Sequence, residues 1–115
     1  MNKKNIVKEN TDFQNIIKTG EILKDKNLII YYKNNSNNKI RFGISVGKKI
    51  GNAVTRNLYK RRLRNIVDKN KKLCSNSKDY IIIIRKNCLN TTYQDIENSF
   101  IKLILNSNKG EKNEK

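Results

Sequence analysis

The chain has 115 residues, enough for one compact domain able to bury roughly 65% of its unfolded surface. Its formal charge is +16, from 26 Lys and Arg against 10 Asp and Glu, so a polyanion is the natural partner class. There is no histidine, and the only cysteines, Cys74 and Cys88, lie far apart, which argues against the usual zinc sites and leaves acid–base and nucleophilic templates without their commonest residues.

The start of the chain, MNKKNIVKEN, lacks the apolar stretch of a secretory signal, and the longest apolar run, Tyr80 to Ile84, is far short of the ~20 residues of a membrane helix. These features predict a soluble cytoplasmic protein with two reduced thiols. Lys, Asn and Ile are abundant and have codons made only of A and T, so nucleotide bias accounts for part of the lysine excess. Arginine is the more informative cation. Five of the six, Arg41, Arg56, Arg61, Arg62 and Arg64, fall in one window, and no acid occurs between Asp25 and Asp68. That segregation marks a surface.

In chain order, NTDFQNIIKTG predicts a short helix with Asn10 or Thr11 as N-cap, Thr11 and Gln14 at capping-box spacing, an apolar stripe of Phe13, Ile16 and Ile17, and Gly20 as the stop. NLIIYYK and KIRFGISVG read as two strands of a hairpin, joined by NNSNN. In the second strand Phe42, Ile44 and Val46 form a buried face, and Arg41, Gly43 and Ser45 one that is open or approached by backbone. GNAVTRNLYKRRLRN then predicts a helix capped by Asn52 and running to about Leu73. At 3.6 periodicity Val54, Leu58, Tyr59, Leu63 and Ile66 share an apolar side, Arg56, Asn57, Lys60, Arg61 and Arg64 the opposite side, and Arg62 snorkels at the border. KDYIIIIRK is a central strand covered on both faces, and a last helix covers about Thr92 to Leu105. The order is that of an α+β fold, a two-layer sandwich of helices on a small sheet.

GKKIGN lacks the Lys-Ser/Thr pair of a Walker loop, although a glycine-flanked turn into a helix N-terminus suits a phosphate. The basic helix admits three readings: a solvated face, a DNA recognition helix, or an RNA-backbone binder. No short helix precedes it at helix-turn-helix spacing. Arg56, Lys60 and Arg64 at i, i+4 and i+8 form a ridge suited to phosphates, and Asn57 adds a neutral donor and acceptor for a base edge or a 2′-hydroxyl. RNA binding is therefore favoured. Tyr31 and Tyr32 are adjacent in a strand and face opposite sides, so one of them is available to a base.

The stretch RFGISVGKKIGNAVTRNLYKRRLR closely resembles the signature of the bacterial ribonuclease P protein component. The likeness begins at DFQNIIKTG and resumes at DYIIIIRK and TTYQDIENSFIKL, covering nearly the whole chain. It implies one RNA-binding domain over 1–106; the polar stretch that follows, 107–115, reads from its composition as a disordered tail. The implied sheet has about four strands with three helices in the order α-β-β-β-α-β-α, with a left-handed β-α-β crossover. It further implies a monomeric subunit that pairs with ribonuclease P RNA to remove the 5′ leader of precursor tRNA. The RNA would carry catalysis, and Mg2+ would be held mainly by the RNA and the substrate. On this resemblance Lys48, Lys49, Arg56, Asn57, Lys60, Arg61 and Arg64 face RNA, Phe13, Ile17 and Tyr31 line the leader cleft, and no catalytic or metal-binding side chain is assigned to the protein. Leu58 stands where the family usually has a basic residue, Ile17 where an aromatic is common, and Ile6 and Val7 where an Arg-Leu pair is frequent. The other reading is a non-enzymatic RNA-binding protein of ribosomal or chaperone type.

Overall fold

The computed structural model describes residues 10–35, 39–74 and 77–113; Ile6, Val7 and the last three residues of NNSNN lie outside them. The elements are α1 (Asn10–Thr19), β1 (Glu21–Lys24), β2 (Leu28–Asn34), β3 (Arg41–Ser45), α2 (Ala53–Asn70), β4 (Lys78–Ile84) and α3 (Tyr93–Asn113). Together they make the expected α+β fold of three helices and a four-stranded mixed sheet. The strand order is β1-β2-β4-β3. No helix among the described residues is long and apolar enough to cross a membrane.

The hairpin expected between β2 and β3 is absent, because β4 lies between them. β2 runs antiparallel to β4 with Tyr31 opposite Ile81, and β3 runs parallel to β4 with Ser45 beside Ile83. The reason is in β4 itself: apolar on both faces, it gains most from the central position, where strands flank both its edges and helices cover most of both faces. The true hairpin is β1–β2, whose turn is set by Asp25. Its Oδ1 accepts the backbone N–H groups of Asn27 at 2.8 Å and Leu28 at 2.9 Å. Asn27, fully buried, then ties this turn to the rest of the chain. Its Nδ2 donates to Ser99 Oγ at 2.9 Å, and its Oδ1 accepts from Asn87 Nδ2 at 2.7 Å.

Alternation along the strands gives the sheet two different faces. Leu28, Ile30, Phe42, Tyr80, Ile82 and Ile84 pack against Tyr59, Leu63, Ile66 and Val67 of α2 and Ile96, Phe100, Leu103 and Ile104 of α3 in the main core. On the other face Ile81 packs with Ile16 of α1, flanked by Phe13, Ile17, Tyr31 and Ile83. Gly20 ends α1 where backbone crowds in. A Cβ there would lie 2.5 Å from the Ile16 carbonyl oxygen and 2.7 Å from that of Tyr32, and its N–H closes the helix on Ile16 O at 2.8 Å. The apolar pattern ended the last helix near Leu105, but α3 continues through Asn113, and residues 114–115 lie outside the described residues. The extension begins with polar side chains that find partners. Ser107 Oγ donates to Ile104 O at 2.7 Å, and Asn108 Nδ2 donates to Leu73 O at 2.9 Å.

Arg41 fixes the edge strand. Its Nε donates to Asp79 Oδ1 at 2.8 Å and its Nη2 to Asp79 Oδ2 at 2.7 Å, a bidentate pair across the parallel β3–β4 ladder. Nη1 reaches Asp12 of α1 at 3.5 Å, so one guanidinium joins both strands to the helix crossing them. The Asp79 bonds, outweighing burial, raise the Arg41 pKa above its ordinary value. Because Asp79 is buried, Asp79→Asn leaves Arg41 poorly paired and is expected to cost about 2–4 kcal/mol in urea unfolding.

Asp25 carries a pH dependence. Burial would push its pKa up, but hydrogen bonds from Ser99, the Leu28 and Asn27 N–H groups and Lys102 outweigh that, and hold the carboxyl below its usual range. The folded state thus binds this proton more weakly than the unfolded chain does. The resulting stabilisation is complete above the ordinary Asp value of about 4 and is lost as pH falls through the lower folded value. Urea melts of the parent and Asp25→Asn should therefore differ more at about pH 6 than at about pH 3.

Candidate nucleic-acid interface

The turn between β3 and α2 contains a 3-10 segment, Lys48–Ile50, in which Ile50 is buried and both lysines are exposed. Gly51 follows with φ 151°, a conformation that favours glycine. Asn52 then caps α2 as its sequence suggests, its Oδ1 accepting the Thr55 N–H at 3.0 Å. The next residues therefore leave the sheet on a fixed helical path.

Along α2 the buried positions are Tyr59, Leu63, Ile66 and Val67. Asn57, Arg61 and Arg64 are exposed, whereas Arg56 and Lys60 are half-buried, so the cationic side grades from rim to outer surface. The Nε of Arg56 is buried and has no hydrogen-bond partner. Arg62 lies at the border as expected, its guanidinium 5.3 Å from the centre of the Tyr59 ring. Val54 departs from the expected apolar side and is exposed, while Leu58 is half-buried. The buried positions of α2 begin only at Tyr59, so its first turn stands clear of the core.

Phe13, Ile17 and Tyr31 come together on the opposite face of the sheet from α2, each half-buried around Ile16 and Ile81. Gly43 makes this possible. A Cβ there would lie 3.0 Å from Phe13 Cε2 and 2.8 Å from Ile81 Cδ1, so the Phe13 ring rests where a side chain would otherwise stand. Tyr31 and Tyr32 do face opposite ways, Tyr32 packing toward the main core 6.3 Å from the Tyr80 ring.

Beside this apolar cluster, and sharing Ile83 with it, is an open groove of about 440 Å³. Ile29 and Ile83 contribute apolar lining, and Lys49, Arg85 and Lys86 contribute cations. Arg85 and Lys86 were not singled out from sequence. They follow β4 directly, and only the parallel register, which brings the end of β4 alongside the end of β3, gives them a place in the groove. Arg85 is further held by its Nη1 donating to the Asp25 carbonyl at 2.8 Å.

Both cysteines are free and buried. Burial pushes the Cys74 thiol up to about 12 and the Cys88 thiol up to about 11, keeping both protonated and unreactive at neutral pH. Among the described residues no three Cys, Asp or Glu side chains gather in a way that could hold a metal ion.

The surface thus combines a capped cationic helix with a half-covered apolar cleft and a groove bearing cations. The family model described as Ribonuclease P matches residues 1–107. Ribonuclease P protein component from Mycoplasma mycoides subsp. mycoides is 46% identical over 105 residues, spanning 90% of this chain and 96% of the relative. The corresponding Bacillus cereus (strain Q1) protein is 35% identical over 93% of this chain and 94% of its own length. Among solved structures, the Staphylococcus aureus RNase P protein superposes with a TM-score of 0.83 at 36% identity, covering 91% of this chain and 96% of that one. The Thermotoga maritima RNase P protein gives 0.75 at 28% identity, over 81% and 88%. With the family matched along nearly its whole length and the fold shared with its solved members, the chain belongs to the bacterial ribonuclease P protein family.

Proposed function

We propose that the chain is the protein subunit of a ribonuclease P ribonucleoprotein, assisting a catalytic RNA in endonucleolytic removal of the 5′ leader from precursor tRNA. The observation that carries this reading is the pairing of Phe13, Ile17 and Tyr31 with a groove bearing Lys49, Arg85 and Lys86 on one sheet face. An apolar floor with cations beside it suits a single strand, whose bases seek a surface to stack on while its phosphates seek positive charge. Lys48, Lys49, Arg56, Asn57, Lys60, Arg61 and Arg64 serve as the RNA-facing set, neutralising phosphates and releasing counterions.

The protein side chains bind and orient; the chemistry belongs to the RNA. This reading places the Mg2+ ions of the reaction mainly on the RNA subunit and the substrate. A monomeric protein working in the cytoplasm completes the picture. The deciding experiment is reconstitution with ribonuclease P RNA at low magnesium. Purified protein should restore leader cleavage there, and protein without RNA should leave precursor tRNA intact. Cleavage by RNA-free protein, or no effect on the RNA enzyme, would overturn the proposal.

Two further outcomes follow from individual residues. Tyr31→Ala should weaken binding of precursor tRNA by ~1–3 kcal/mol through lost stacking and affect mature tRNA, which has no leader, much less. Circular dichroism should first establish that this variant is folded. Separately, replacing Arg64 by Ala should flatten the dependence of log K on log salt by up to about one phosphate contact, whereas Asn57→Ala, which removes no charge, should weaken binding by ~0.5–1.5 kcal/mol at unchanged slope.

A further inference from the structure

The first turn of α2 holds an apolar side chain out into water among cations. Val54 is 78% exposed, more than Ile22, Leu89 or Leu105, the other large hydrophobic residues exposed in the described structure. Single exposed hydrophobic residues are common on protein surfaces, so the surroundings decide. Ala53 beside it is also exposed, Asn57 and Arg61 continue the same side of the helix three and seven residues on, and Lys48 and Lys49 are exposed in the turn just before. No acid occurs in the sequence from Lys26 to Val67. The patch is therefore built for a polyanion, yet its centre is a pair of methyl groups that phosphate cannot use.

An unpaired nucleotide resolves this, because it presents an apolar ribose or base face next to its phosphate. We propose that Val54 packs against the sugar or base face of an unpaired nucleotide of the RNA subunit, with Lys48 and Arg61 toward the flanking phosphates. This rests on the ribonucleoprotein reading above. The RNA subunit, and not the leader, is the occupant because α1 with its cleft and α2 with its outer ridge lie on opposite faces of the sheet.

The test measures affinity of the full chain for ribonuclease P RNA across a range of potassium chloride. Val54→Thr keeps the branched shape while exchanging a methyl for a hydroxyl, and Val54→Ile keeps the apolar character. Val54→Thr should weaken binding by about threefold to tenfold with no change in salt slope, because an apolar contact releases no counterions. Val54→Ile should bind as the parent does, and both variants should leave the preference of the assembled complex for precursor over mature tRNA unchanged. Val54→Gln, which restores a good helix former without apolar branching, should repeat the threonine result and guards against a folding artefact.

Arg61→Ala supplies the comparison, since it should flatten the slope. If Arg61→Ala does so but Val54→Thr and Val54→Gln bind like the parent, the Val54 contact is overturned and the ribonucleoprotein reading stands. If Arg61→Ala also changes neither affinity nor slope, the RNA-facing role of α2 falls with it. Loss of precursor preference in Val54→Thr at full affinity for the RNA subunit would move the contact to the substrate and overturn the proposal.

Discussion

Strand β4 must be shielded on both faces, and the rest of the molecule is arranged to do it. Tyr80, Ile82 and Ile84 point to the side that α2 and α3 cover together, and there the burial is complete. Ile81 and Ile83 point to the side crossed only by the ten residues of α1. One short helix cannot cover a four-stranded sheet. Ile81 is fully buried beneath it, while Ile83 and the neighbouring Tyr31 remain half-buried. The cleft is thus the part of a two-faced apolar strand that the chain has left uncovered, and burial of that remainder by a ligand would draw on the same hydrophobic gain as folding.

Charge is divided along the same lines. Of the few acids, Asp79 is bound by Arg41, Asp25 by its own turn and Lys102, and Glu97 by Lys69 and Asn70. Those acids are occupied with holding elements together, and each is wholly or partly buried. Lys48, Lys49 and Arg61, by contrast, are exposed on a stretch where the sequence supplies no acid until Asp68. With these acids held in internal pairs and none in the sequence from Lys26 to Val67, the turn before α2 and the first turns of that helix carry a one-signed field open to phosphate.

Much of this was readable from residue order. The capping by Asn52, the border position of Arg62, the stop at Gly20 and the opposed facing of Tyr31 and Tyr32 are consequences of local chemistry, and local chemistry is written locally. What was misread depends on distant partners. A β2–β3 hairpin follows from adjacency in sequence, whereas insertion of β4 between them is decided by a strand more than thirty residues later. Strand β1 is short and mostly exposed, so no alternation announces it, and the third strand expected before α2 rests on the family resemblance alone. Val54 has the periodicity of the apolar side, and only the place where α2 meets the core shows that the first turn escapes it. Arg85 and Lys86 look like an ordinary strand ending until the parallel register is known.

That register also explains how separate cations become one surface. In a parallel pair both strands end at the same edge of the sheet, so the segments that follow them begin side by side. Here β3 leads into Lys48 and Lys49 and β4 into Arg85 and Lys86, with Ser45 and Ile83 paired just before. Had β3 and β4 been antiparallel, the two basic segments would stand at opposite ends of the sheet, and Lys49 would not share a groove with Arg85 and Lys86. Parallel pairing requires a long connection, and α2 is that connection. The arginine-rich helix is therefore both the link that the topology demands and the means by which its preceding turn, with Lys49 in the groove, is brought to the same edge as Arg85 and Lys86.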